Sequence, residues 1–200
     1  MRFTIVHELD APLDAAELAL LSPELGPRLG QKVSTLESVV TVEHAIESGK
    51  LRRVLRFQAN APLPVFKGRD LAREAMAWEE IFTYQLTEHA ATWHVAPMAL
   101  RGGARSDADP SSVTPAGSAP PGGSEASAGG TPEDRWRQYF RAEGTYRLEP
   151  LPGGRTRRSV EGSLDVHVAV IGSLVERMAL AEIRKTYDAE AETLRELSVV

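Results

Sequence analysis

Large apolar residues recur at every second position along most of the chain, and change to every third or fourth only near the C-terminus. The first spacing marks strands with one buried face, and the second an amphipathic helix. Phe3, Ile5 and Leu9 predict an opening strand over 3–9. Pro12 leads into a short helix near 14–21, and Ser22-Pro23 reads as the cap and first residue of a second helix that ends near Gly30. Strands over 33–47 and 51–60 flank the hairpin turn Ser48-Gly49-Lys50. Trp78, Phe82, Tyr84 and Leu86 share a parity and predict another strand, and Thr92–Val95 a further one. Strands over 139–151 and 155–171 meet at Pro152-Gly153-Gly154. In the last of these, Val160, Leu164, Val166, Val168 and Val170 oppose Glu161, Ser163, Asp165 and His167, as in a strand solvated on one face.

The period changes at Gly172. Ser173-Leu174-Val175-Glu176 has the form of a capping box, and Leu180, Ile183, Tyr187, Ala191 and Leu194 then recur at helical spacing. A helix over 173–197 is roughly 37 Å long, enough to cross a whole sheet. The pattern predicts an α+β fold in which one long C-terminal helix closes an antiparallel sheet of about seven strands.

Composition interrupts this picture once. Between Arg101 and Asp134 lie seven of the 16 glycines and five of the 13 prolines, with Val113 the only aliphatic residue larger than alanine. Such a stretch buries too little apolar surface to offset its ordering entropy, so a disordered insert is expected at 98–134. The residues before it lack a long helix and those after it lack a core, so 1–200 reads as one domain.

The order of elements resembles the helix-grip fold of the START/SRPBCC superfamily, a curved antiparallel sheet wrapped around a C-terminal helix. The resemblance rests on Phe3-Thr4-Ile5-Val6-His7-Glu8-Leu9-Asp10-Ala11-Pro12, which is similar to the first strand and its turn into a helix, and on Trp78-Glu79-Glu80 at the start of a mid-sheet strand. Val168-Ala169-Val170-Ile171-Gly172-Ser173-Leu174-Val175-Glu176 is similar to the strand-to-helix junction of one bacterial family, the domain of unknown function 2505. It implies a cavity between sheet and helix, and brings no catalytic residues.

Charge and chemistry narrow the function. A net charge of −5 argues against nucleic acid as a partner, because phosphate binding needs a basic face. With no cysteine, thiolate chemistry is excluded and a reducing cytoplasm is the expected location. No run reaches the roughly 18 apolar residues of a membrane span, so no integral membrane association is expected. The five histidines, His7, His44, His89, His94 and His167, include no helical metal pair, and no nucleophile elbow or phosphate-binding glycine loop is present. No catalytic group, metal or cofactor is assigned.

One feature stands apart. The face that carries the large apolar residues also carries His7, His44, Arg53, Glu80 and Arg158. Polar groups there are costly unless paired or hydrated. Either they satisfy one another, Arg53 with Glu80 for instance, or they orient a mostly apolar ligand. The candidate lining from the sheet is His44, Arg53, Phe57, Glu80, Phe82, Tyr84, Leu164 and Val166, and from the helix Met178, Ile183 and Tyr187. The leading expectation is non-catalytic binding of a hydrophobic small molecule or lipid. The alternatives are a polyketide cyclase/aromatase-like enzyme drawing its acid–base group from His7, His44 or Glu80, and a protein-interaction module with a filled core.

Overall fold

The computed structural model describes residues 1–60, 77–98, 140–166 and 172–199. Strand β1 (Arg2–Leu9) is followed by helices α1 (Leu13–Leu20) and α2 (Leu25–Lys32). Strands β2 (Leu36–Glu47), β3 (Lys50–Ala59), β4 (Ala77–Gln85), β5 (Ala90–Met98), β6 (Phe140–Leu151) and β7 (Arg155–Val166) follow, then helix α3 (Gly172–Leu197). The insert expected at 98–134 falls outside the described residues except for Met98, which ends β5. The expected continuation of β7 over 167–171 also lies outside them, as does the Ser173 side chain of the capping box.

All seven strands form one open sheet in the order β1-β7-β6-β5-β4-β3-β2, each antiparallel to its neighbours. Local chemistry sets the hairpins. Ser48 and Gly49 both have positive φ, the requirement of a two-residue turn matched to strand twist. Gly153 and Gly154 also have positive φ, in the three-residue loop 152–154 between β6 and β7. At α2, Ser22 Oγ accepts from the Glu24 amide and the Ser22 carbonyl from the Leu25 amide, so a turn closes first and the helix starts at Leu25 rather than Pro23.

The inner face of the sheet is apolar. Phe3, Ile5, Leu9, Leu51, Leu55, Phe57, Phe82, Tyr84, Trp93, Tyr146, Val160 and Leu164 are buried there, and α3 meets them with Tyr187, Ala191 and Leu194. Each large side chain so buried contributes roughly 1.5–3 kcal/mol. Gly144 and Gly162 face each other across β6 and β7 under the Trp93 ring. A Cβ on either would come within 2.7 Å of that ring, so only glycine lets the indole lie on the sheet.

Strand β2 departs from simple alternation. Its register with β3 shifts between Thr41 and Glu43. Val42, which simple alternation would place on the same face as His44, is therefore half exposed. Ile46 is also half exposed, opposite the buried Leu51 on this edge strand.

Candidate functional site

The inward polar residues meet the long helix at one carboxylate. Glu190 lies one helical turn beyond Tyr187 and faces the sheet, and it is 5% exposed against 2% for Arg53 and 0% for Arg158. Arg158 donates through Nη2 to Glu190 Oε2, and Arg53 Nη2 donates to Oε1 of the same carboxylate at 3.5 Å. Arg53 Nη1 also donates to the Leu20 carbonyl (3.2 Å), tying the sheet to the end of α1. Arg158 Nε donates to the Tyr146 hydroxyl (3.1 Å) and Nη1 to the Tyr187 carbonyl (3.2 Å). Aromatic rings flank both cations: Arg53 lies 4.8 Å over Phe82, and Arg158 lies 5.0 Å from Tyr146 and 5.2 Å from Tyr187.

His7 extends this lattice to the surface. Its Nδ1 is 3.0 Å from Arg158 Nη1 and its Nε2 2.8 Å from Asp188 Oδ1. A guanidinium can only donate, so Nδ1 accepts and the ring proton sits on Nε2, facing the carboxylate. Burial, helped by the Arg158 charge, lowers the His7 pKa against the pull of Asp188.

Glu80 stands beside the lattice. The carboxylate partner of both guanidiniums is Glu190, whereas Glu80 lies near the Tyr187 hydroxyl and forms no ion pair with either cation. Burial and the neighbouring Glu190 push the Glu80 carboxyl up to about 7, while Arg53, Arg158 and Tyr187 pull it down. Burial pushes the Tyr146 hydroxyl up to about 12. The Tyr84 hydroxyl donates to Glu17 of α1 at 2.6 Å, and His89 Nδ1 lies 2.9 Å from the same oxygen. Burial and Glu17 raise the Tyr84 pKa.

The other candidate residues divide between two ends of the interior. At one end, under α1 and the second half of α3, the space is sealed by Phe82, Tyr84, Tyr187, Ala191 and Leu194. At the other end, inward-facing Trp78, Glu80, Val95 and Val166 are only half-buried, as are Leu180 and Ile183 on the first half of α3. Phe57 stacks on Trp78 at 5.5 Å beside this end, and Leu164 is buried between the two. His44 sits apart, its Nε2 3.1 Å from the Leu21 carbonyl. Met178 belongs to α3, with its side chain outside the described part.

The opposite, outer face of the sheet bears two shallow depressions of about 600 and 370 Å³, lined by short polar side chains such as Thr83, Thr92, Thr145 and Ser163. Among the described residues no three histidine or acidic side chains converge as metal ligands, and no helix is long and apolar enough to cross a membrane.

Solved structures share this frame. The structure of TTHA0849 from Thermus thermophilus superposes with a TM-score of 0.55 at 15% identity, covering 100% of this chain and 97% of that one. The Zhui aromatase/cyclase from Streptomyces sp. R1128 gives 0.57 at 12% identity, covering 100% and 93%. A START superfamily protein from Mycobacterium smegmatis gives 0.51 at 13% identity, covering 98% of each. The chain has the START-like helix-grip fold. Residues 111–197 also match the family described as protein of unknown function DUF2505, as the strand-to-helix junction suggests. No curated protein matches the sequence.

Sequence reasoning missed Glu190, Asp188, Glu17 and the Tyr146 hydroxyl. Glu190 was within reach, since it lies three residues after Tyr187 and four before Leu194, on the apolar stripe of the helix. Nothing local signals Asp188 or Glu17, which meet their partners across more than 65 residues, whereas Tyr146 meets Arg158 across the β6–β7 hairpin, 12 residues away.

Proposed function

We propose that this helix-grip domain binds an apolar small molecule or lipid between the sheet and the first half of α3, and does so without catalysis. The observation that carries the reading is the gradient of burial along the interior. Inward-facing Trp78, Val95, Val166, Leu180 and Ile183 are only partly buried at one end, while side chains of the same parity are sealed at the other. Glu80 supplies a polar contact within this apolar lining, the usual composition of a small-molecule site. The charge lattice behind it holds helix and sheet together and keeps the deep end closed.

The test uses N-phenylnaphthylamine, an uncharged dye that fluoresces in apolar surroundings. Wild-type protein is expected to bind it. An Ile183→Trp variant fills the open end and should weaken binding about tenfold or more, a change near 1.4 kcal/mol, with its circular dichroism unchanged. A folded Ile183→Trp protein that binds the dye as tightly as wild type overturns the assignment.

A second reading, a cyclase-like enzyme, is favoured by one observation. Glu80 is held near neutrality at the apolar end, where a carboxyl can both give and take a proton. Its mark is a Glu80→Gln variant that binds product analogues normally and turns nothing over.

A further inference from the structure

Three buried polar atoms have no hydrogen-bond partner among the described residues: Thr41 Oγ1, His44 Nδ1 and Arg53 Nε. They are neighbours. The register shift in β2 makes Thr41 and His44 successive inward residues, and His44 lies directly opposite Arg53 in the ladder. Side chains so paired start about 4.5–5.5 Å apart at Cβ. The connection between α1 and α2 roofs them. His44 Nε2 reaches the Leu21 carbonyl and Arg53 Nη1 the Leu20 carbonyl. Gly26 of α2 lies over Thr41, and a Cβ there would come within 2.9 Å of its hydroxyl oxygen. A buried, unpaired polar group forfeits its hydration with nothing in return. Three of them on adjoining inward positions, beneath one connection, point to a partner that all can reach.

Their chemistry defines it. The Leu21 carbonyl only accepts, so His44 Nε2 carries a proton, and in that tautomer of the neutral imidazole Nδ1 is an acceptor. Arg53 Nε–H only donates. The Thr41 hydroxyl can do either. The partner must therefore accept from Arg53 and donate to His44. A carboxylate, a ketone or an ether cannot donate, and an ammonium cannot accept. A hydroxyl does both. We propose that Thr41, His44 and Arg53 form a binding site for one hydroxyl group, supplied by water or by an alcohol. The site lies on the edge strand, under the helix connection, apart from the half-exposed apolar end.

The test is nuclear magnetic resonance on isotopically labelled full-length protein. The expected result is a neutral His44 with a bare, hydrogen-bonded Nδ1 and a cross-relaxation contact between its ring protons and water. Adding 1-propanol distinguishes the sources. Loss of the water contact with 1-propanol, but not with methyl ethyl ether of similar size, assigns the site to alcohols; an unchanged contact assigns it to water. Thr41→Val should lower the unfolding temperature and remove the contact, whereas Thr41→Ser should keep it. If the three atoms are simply unpaired, Thr41→Val removes an unsatisfied group and raises the unfolding temperature. That result, or a His44 ring protonated on Nδ1, or the absence of any water or alcohol contact in wild type, overturns the proposal.

Discussion

Glu80 and Glu190 face the same interior with opposite fortunes. Glu190 touches two guanidiniums, whereas Glu80 is half-buried near a phenol with no cation paired to it. The folded chain holds the Glu80 proton up to about pH 7, against an ordinary value of 4.5. Between those values the unfolded chain has released a proton that the folded chain keeps, so stability from this group falls as pH rises and levels off above the window. Glu80→Gln removes the effect. In urea unfolding the variant should exceed wild type at pH 8 by up to about 3 kcal/mol, and equal it near pH 4. His7 acts in the reverse sense: its lowered pKa means that stability is lost as pH falls below 6.5 towards the folded value. The lattice itself has a separate signature. Arg158→Met alone leaves Glu190 without its closest cation and should cost about 3–5 kcal/mol. The triple change Arg53→Met, Arg158→Met, Glu190→Leu should be neutral or stabilising, since an apolar set of similar volume replaces a buried ion pair without its desolvation cost. A triple variant as unstable as the single one would mean that the charges choose the packing of α3. Alternation alone placed Arg53, Arg158, His7 and Glu80 inward. It could not supply their partners, which arrive from a helix some thirty to 180 residues further on.

At the level of elements, a two-residue period and a helical period separated strands from helices with little ambiguity. The ends moved by a few residues where a turn competes with a helix, as at Ser22. The main error of parity is in β2. One extra residue at the register shift carries Val42 out to solvent and brings Thr41 into line with His44, and no local sequence signal marks it. The role of α3 was plain, because the apolar stripe of Leu180, Ile183, Tyr187, Ala191 and Leu194 has only the sheet to meet. Truncation after Gly172 removes the buried Tyr187, Ala191 and Leu194 together with Glu190. The truncated chain should lose cooperative thermal unfolding and bind anilinonaphthalene sulfonate as a molten state does. A truncated protein with a sharp transition would refute a core shared between sheet and helix.

The molecule as a whole is ordered differently in space and in sequence. Strands β2 to β6 pair with their successors, but β1 pairs with β7, Arg2 opposite Ser163. During synthesis the first strand of this sheet to leave the ribosome is thus the one whose partner is the last of its strands. At about 5–20 residues per second, roughly 10–30 s separate the two. Through that interval Phe3, Ile5 and Leu9 lack their strand partner, and closure at the β1–β7 seam must wait for every other strand of the sheet. Contacts of such long sequence separation also slow refolding from denaturant. The N-terminal strand is where a nascent chain of this protein is most exposed to a chaperone or to a wrong partner.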